Sequence, residues 1–156
     1  NFGLQFNEGN IEAWTGSAWV VLIASPSADE WTHLVVVFDG SGKQQAYKNN
    51  VAGSNVAAAY NLSTLGVAAN LDLTHGTHFD GKVDEVAIWD SALTSTQITT
   101  IYNGGNPADL SSLSPTGWWK MGEGNAISTT ITDHGSGGNN GTLINGPILT
   151  LDSPSY

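Results

Sequence analysis

The chain of 156 residues predicts an all-β protein, an antiparallel β-sandwich that carries one short helix near residues 94–103. Three observations support this class: short runs in which apolar and polar residues alternate, turn residues between the runs, and one segment with helical spacing and helix caps. The length fits a single domain, and an apolar content of 40% is enough for a core.

The first half of the chain is predicted to be a series of strands joined by turns. Residues 30–38 are apolar on both faces apart from Thr32 and His33, so this strand is expected in the middle of the sandwich. Gly16-Ser17 suits a hairpin turn, and Asn49-Asn50 suits the left-handed backbone of a tight turn. The predicted strands in this half are residues 2–7, 11–15, 19–24, 30–38 and 43–48.

Residues 79–105 predict a turn, a strand, a short helix and a stop. After the Asp80-Gly81 turn, Val86 and Ile88 share one face of the predicted strand. Asp84 has the same parity as these two residues, so we expect its carboxylate to be partly buried and to need partners.

The helix is predicted from its caps and its apolar spacing. Thr94 suits the N-cap, and Gln97 lies three residues later, where its side chain can complete a capping box. Ile98 and Ile101 begin a short apolar stripe, and Asn103-Gly104-Gly105 is expected to end the helix.

The composition limits the classes of partner. Only 12% of the residues are charged, about half of the roughly 25% usual in soluble proteins. With four lysines, no arginine and a net charge of −10, the chain repels phosphate, which argues against nucleic acid and anionic membranes and favours divalent cations. There is no cysteine, and no apolar run approaches the length of a membrane span, so neither a disulfide framework nor membrane insertion is predicted.

Three segments resemble the LamG-like and pentraxin-like domains, which are concanavalin A-like jelly rolls. Residues 79–102 are similar to the late strand and helix of that family, roughly G-x-I-D-E-V-x-I-W/Y followed by L-S-x-x-E/Q-I. Residues 31–50, with WTHLVVVFDG and then AYKNN, resemble its W-x-H…D-G…L-Y-V-N-G hairpin. Residues 117–143, with GWWKMGEG and DHGSGGNNGTL, resemble its entry segment. Together the three matches imply the jelly-roll fold and leave the activity open.

The resemblance also implies an organisation of the chain. We expect a LamG-like body over residues 1–105, a connector over 106–116 and C-terminal strands over 117–156 that complete the sandwich. In the family, however, the entry segment normally opens the domain, and the late strand and helix normally close it. Either the domain is circularly permuted, or its front strands lie upstream of Asn1.

An incomplete front would leave the apolar strand 30–38 short of partners, and unpaired apolar edges drive association. We therefore expect the chain to complete its sandwich with strands from a preceding segment of the same polypeptide or from neighbouring subunits. A stable free monomer is not expected.

A calcium site is the first candidate functional site. Asp80, Asp84, Asp133 and Asn139 supply carboxylate and amide oxygens on two glycine-rich turns, and hard oxygen donors suit Ca²⁺. The resemblance points to Ca²⁺ as the cofactor, because many relatives of this fold bind it. The alternative is that Asp84 accepts hydrogen bonds from the backbone N–H groups of a neighbouring loop.

A ligand site built from aromatic side chains is the second candidate, because aromatic faces bind the C–H faces of sugar rings. Trp14, Trp19 and Tyr60 are the best candidates for exposure. Trp31 and Trp89 fall within strand patterns and are expected in the core.

Catalysis finds little support in the sequence. Glycoside hydrolases of this fold need two carboxylates at a set separation, and their strand signatures E-x-D-x-E and E-x-D-x-x-E are absent. Asp84 and Glu85 are adjacent and are expected on opposite faces of the strand. The chain also lacks a nucleophile elbow and a phosphate-binding loop.

These observations predict a non-catalytic structural or adhesion module at the outside of a cell or particle, such as a virion decoration or fibre component. The alternative is a carbohydrate-binding module of a larger secreted enzyme. The partners predicted for either role are neighbouring subunits or an upstream segment, and glycans.

Overall fold

The computed structural model describes residues 4–7, 10–14, 18–24, 27, 29–40, 43–57, 81–121, 129–144 and 148. Its contacts divide the chain into two compact units, residues 1–81 and residues 82–156. The division into a body, a connector and C-terminal strands that the resemblance implies stays a prediction.

The described residues of the first unit form six antiparallel strands in two sheets of three. One sheet has the order β1-β2-β3 and the other the order β4-β5-β6, so each sheet is a simple meander. The strands are β1 (Leu4–Asn7), β2 (Asn10–Trp14), β3 (Trp19–Ile23), β4 (Leu34–Phe38), β5 (Lys43–Lys48) and β6 (Val51–Ala57). Asn49 and Asn50 have φ values of 47° and 65°, which confirms the tight left-handed turn predicted between β5 and β6.

Buried residues from both sheets form the core of the first unit. Ile11 and Ala13 are alternate residues of β2, whereas Leu22 and Ile23 are consecutive and are both buried where the register of β3 shifts by one residue. Leu34 and Val36 pack against these residues from β4. The core residues are Ile11, Ala13, Leu22, Ile23 and Ala46.

The described residues of the second unit form short strands and one α-helix. These elements are β7 (Val86–Ile88), α1 (Ser95–Tyr102), β8 (Gly117–Trp119), β9 (Thr130–Ile131) and β10 (Gly141–Thr142), with two short 3₁₀ turns at Asn103–Gly105 and Ser111–Leu113. β7 pairs with β8 and β9 pairs with β10, both antiparallel. The antiparallel sheets, with one short α-helix in the part of the chain that the structure describes, confirm the predicted all-β class. Within the described residues, no helix is long and apolar enough to cross a membrane.

The predicted caps of the helix are confirmed. The Thr94 hydroxyl accepts a hydrogen bond from the backbone N–H of Gln97, and the Gln97 side-chain oxygen accepts one from the backbone N–H of Thr94 at 2.8 Å. Asn103 ends the helix in the left-handed conformation, with φ of 47°. Ile98 and Ile101 are buried, as their spacing predicted.

β7 is shorter than the sequence pattern predicted, because Glu85 adopts a left-handed backbone conformation with φ of 49°. The strand therefore begins only at Val86, and Asp84 lies outside it. Strict alternation cannot extend through Glu85, so the parity of Asp84 with Val86 does not establish a shared face.

Candidate functional site

The β2–β3 hairpin carries the first candidate site at the end where its turn lies. Trp14 is the last residue of β2 and Trp19 the first of β3, and the two are register partners. Trp19 is 43% exposed, and Val21 on the same strand is 38% exposed. Since alternate residues of a strand share a face, Trp19 and Val21 form an exposed apolar strip. Tyr60, the third predicted ligand residue, lies outside the described residues.

Asp133 is the most strongly hydrogen-bonded carboxylate of the second candidate site. Its Oδ1 accepts the backbone N–H groups of Trp118 at 2.8 Å and Gly135 at 2.7 Å, and its Oδ2 accepts that of Asn139 at 2.7 Å. Burial raises the pKa of Asp133, but the three hydrogen bonds and the nearby His134 outweigh it, so the pKa lies below its ordinary value of 3.8. Asp133 is therefore held as a carboxylate that links β8 to the loop at residues 133–140.

This glycine-rich loop lies close against the start of β8. The Gly137 N–H donates to the Thr116 carbonyl at 2.7 Å, and the His134 N–H donates to the Trp118 carbonyl at 2.7 Å. A side chain at Gly135 would lie 2.7 Å from the Gly117 Cα and from the Thr116 oxygen, both backbone atoms that cannot easily move. The loop can approach β8 this closely because Gly135 has no Cβ.

The residues predicted to bind calcium have been brought together only in part. Asn139 reaches Asp133 through its backbone N–H, and Asp84 accepts the backbone N–H of Glu85 at 2.9 Å. Asp80 lies outside the described residues, and within the described part of the chain no group of three or more His, Cys, Asp or Glu side chains is arranged to hold a metal.

The donors around Asp133 fit a metal poorly, because backbone N–H groups already occupy both of its carboxylate oxygens and compete with a cation. Calcium binding by the full set of four residues stays a prediction. Calorimetry with Ca²⁺ after treatment with a chelator is the measurement that checks it.

Trp118 lies at the centre of a polar and aromatic cluster that the sequence pattern did not indicate. Its indole N–H donates to the Glu85 carboxylate at 2.7 Å, and the Lys120 ammonium lies 4.5 Å from the centre of its ring. The His134 ring meets it edge-on with centroids 5.8 Å apart. Because Trp118 is only 5% exposed, its ring face is not open to a ligand, and the cluster braces β8 against the segment before β7.

Two other tryptophans of this unit are held in the same way. The Trp89 indole N–H donates to the Leu113 carbonyl at 3.0 Å, and the Trp119 indole N–H donates to the Asn139 carbonyl at 2.9 Å. Trp89 is half-buried rather than a fully buried core residue. In this unit, therefore, the indole N–H groups join segments that are distant in sequence.

The comparison with protein families agrees with the geometry. The model of the Laminin_G_3 family, described as the concanavalin A-like lectin/glucanases superfamily, matches residues 1–99. The match covers more than half of the chain, so this protein belongs to that family of concanavalin A-like domains, and the predicted LamG-like β-sandwich is confirmed at the level of the family. Searches among curated proteins and among solved structures gave no significant match.

Proposed function

We propose that this chain is a non-catalytic adhesion domain of an extracellular or particle-surface protein, and that it contacts glycans through the Trp19 end of the β2–β3 hairpin. The observation that carries the proposal is the exposed Trp19 ring, next to the exposed Val21 and in register with Trp14. An exposed tryptophan offers a flat apolar face and an indole N–H, which suit the C–H face and the hydroxyls of a sugar ring.

Because the superfamily contains both lectins and glucanases, family membership is compatible with sugar binding and with sugar hydrolysis. Hydrolysis requires one carboxyl group as acid and a second as nucleophile or base. Glu85 accepts the Trp118 indole N–H, and Asp133 accepts three backbone N–H groups. These contacts support structural roles for both carboxylates and, with the missing hydrolase signatures, favour a domain that binds without turnover.

A purely structural role, as a decoration or fibre component that joins neighbouring subunits, is the second candidate. It is favoured by the surface composition, because a chain with 12% charged residues and no arginine presents mainly small polar residues to solvent. The two roles differ in their ligand, since one requires a glycan and the other requires subunits or an upstream segment of the polypeptide.

Binding to a glycan array separates the two candidates. We expect the wild-type chain to bind a restricted set of glycans weakly, and Trp19→Ala to reduce the affinity about tenfold, as expected for a loss of about 1.4 kcal/mol. Trp19→Phe keeps an aromatic face and should retain part of the binding. Release of reducing ends from any bound polysaccharide would contradict the non-catalytic role.

Val21→Ala is the matched control, because it removes an exposed apolar side chain from the same strand and leaves the ring in place. If Val21→Ala and Trp19→Ala weaken binding equally, the aromatic face is not the contact. If no glycan binds while light scattering shows assembly into oligomers, the structural role is favoured instead.

A further inference from the structure

Two asparagine–glycine steps lie in the part of the chain that the structure describes, and both belong to the second unit. Asn103-Gly104 follows the last residue of α1, and Asn140-Gly141 lies at the start of β10. A third step, at residues 145–146, lies outside the described residues. Because glycine has no Cβ, its main-chain nitrogen can be reached by the side chain of the preceding asparagine. These steps are therefore places where the chain can modify itself.

Asn103 is an exposed residue whose contacts are long hydrogen bonds. It is the C-cap of α1, with φ of 47° and ψ of 39°, and its backbone N–H donates to the Thr99 carbonyl. Its side-chain N–H₂ group donates to the Pro107 carbonyl at 3.3 Å, and its own carbonyl accepts the backbone and side-chain N–H groups of Asn106 at 3.3 and 3.4 Å. These three distances are longer than the range of about 2.7–3.2 Å that is usual for such bonds, so the bonds are weak.

Gly104 leaves room for the Asn103 side chain to move. It is exposed, and a Cβ placed on it would meet no atom within 4 Å apart from those of its neighbours along the chain. Ile101 is the last buried residue of α1. Since a helix end opens locally far more readily than the centre of a helix or a strand ladder, the Asn103 side chain can swing over the Gly104 nitrogen without disturbing the core.

Asn140 is held much more firmly. Its side-chain oxygen accepts the backbone N–H of Asp133 at 3.0 Å, and the Asp133 carboxylate accepts the N–H of the preceding Asn139 at 2.7 Å. Gly141 lies in β10 opposite Ile131, and a Cβ on it would be 3.5 Å from the Ile131 side chain. Attack by the Gly141 nitrogen would require the strand pair and the Asp133 contacts to open together, which is less favourable than the opening of a helix end.

We propose that Asn103 is a site of spontaneous deamidation through a cyclic succinimide, and that the fold protects Asn140. The Gly104 nitrogen attacks the Asn103 Cγ, so that a C–N bond forms and the ring closes. The Cγ–Nδ2 bond then breaks, and ammonia leaves with the proton of the Gly104 amide. Water opens the ring at Cγ to give aspartate, or at the main-chain carbonyl carbon to give isoaspartate. Water is the co-reactant, and nothing is oxidised or reduced.

Both products weaken the end of α1. Each adds a carboxylate beside the last carbonyl groups of the helix, which carry partial negative charge, in a chain whose net charge is already −10. Isoaspartate also inserts a methylene group into the main chain and so disrupts the left-handed cap at Asn103. The second unit therefore loses stability as the protein ages. Trp19 takes no part, so this inference is independent of the proposed glycan binding.

Peptide mapping by mass spectrometry tests the proposal on the full chain during incubation at mildly alkaline pH. In the native chain we expect Asn103 to deamidate at least about fivefold faster than Asn140, with both aspartate and isoaspartate as products. In urea the two sites should react at similar rates, because each is followed by glycine and the fold no longer separates them. Equal native rates, a faster Asn140, or aspartate without isoaspartate would overturn the proposal, as would an Asn103 that reacts in urea alone.

Two variants connect the modification to stability. Asn103→Gly removes the amide and retains a residue that suits the left-handed C-cap, so its melting temperature should not fall during incubation. Asn103→Asp introduces the charge of the product directly and should melt below Asn103→Gly. The deamidated fraction of the wild-type chain, separated by anion exchange, should melt below the unmodified fraction. If the two fractions melt alike, or if incubated Asn103→Gly loses stability as fast as the wild type does, the proposal is wrong.

Discussion

The two units of this chain belong to the same all-β class but are stabilised in different ways. The described residues of the first unit form two three-stranded sheets, and buried apolar side chains from both form one cluster. In the second unit the described strands have two or three residues each, and segments are joined by side chains that bond to the backbone, above all Asp133 and the indoles of Trp89 and Trp119. Where strands are too short for long ladders, polar side chains bonded to the backbone join the segments instead.

A cavity in the core of the first unit is expected to cause the largest loss of stability. Leu22 is 1% exposed and belongs to the core cluster, so Leu22→Ala should lower the free energy of unfolding by about 2–5 kcal/mol. Urea denaturation measures the loss. Val21→Ala, at the exposed neighbouring position, is the control and should change stability by about 0.5 kcal/mol or less. Equal losses would mean that the apolar cluster does not dominate this unit.

The corresponding change in the second unit is Asp133→Asn. The amide keeps one acceptor oxygen but turns an N–H₂ group toward a backbone N–H that the carboxylate had accepted, so we expect a loss of about 2–3 kcal/mol. Asp109→Asn is the control, because that carboxylate is exposed and its hydrogen bonds come from Ser111, two residues along the chain; its effect should be far smaller. A neutral Asp133→Asn would show that the loop is held by its backbone contacts alone.

Lowering the pH should remove the stability that the Asp133 carboxylate contributes to the second unit. The pKa of Asp133 lies below its ordinary value of 3.8 in the folded protein, so its contribution to stability is complete above that pH and is lost as the pH falls below it.

The helix of the second unit offers a smaller and more local test. Thr94→Ala removes the hydroxyl of the capping box and should cost about 1 kcal/mol in thermal or urea unfolding, whereas Thr94→Ser should retain most of it. Thr96→Ala, on an exposed position of the same helix, is expected to be neutral or slightly stabilising because alanine is the better helix former. A Thr94→Ala protein as stable as the Thr96→Ala protein would argue against the cap.

The smallest expected effect concerns the pH dependence of the first unit. Burial lowers the pKa of His33 below 6.5, so the unfolded chain binds more protons between the folded value and 6.5. Stability should therefore fall as the pH is lowered through about 6.5, with a slope of at most ~1.4 kcal/mol per pH unit. His33→Gln should flatten this slope, which urea denaturation at a series of pH values measures. An unchanged slope in His33→Gln would show that another group causes it.

Much of the fold could be predicted from local sequence, whereas the arrangement of the candidate sites could be predicted only in small part. The capping box of Thr94 and Gln97 and the Asn49-Asn50 turn depend on residues three or fewer positions apart, and both were predicted correctly. Strand alternation predicted the hairpin of Trp14 and Trp19, and their register places them opposite each other. By contrast, the carboxylates of the predicted calcium site were chosen by residue type alone. Residue type does not reveal the backbone N–H groups that donate to Asp133.

The sequence by itself determined the class of this protein, the Asn49-Asn50 turn, the helix and five of the six described strands of its first unit, because each is specified by interactions between near neighbours and by the periodicity of apolar residues. The Ala-rich segment of β6 has no such pattern, and the sequence did not predict that strand. Only the tertiary structure decided the rest. The Trp118 indole reaches the Glu85 carboxylate across 33 positions, and the Trp118 N–H reaches Asp133 across 15. The register shifts at Leu22 on β3 and at Gly53-Ser54 on β6 likewise lie where a strand of one sheet approaches a strand of the other, with the Gly53 backbone close to the Leu22 carbonyl. Contacts of this kind depend on which segments the fold brings together, and no pattern along a single strand contains that information.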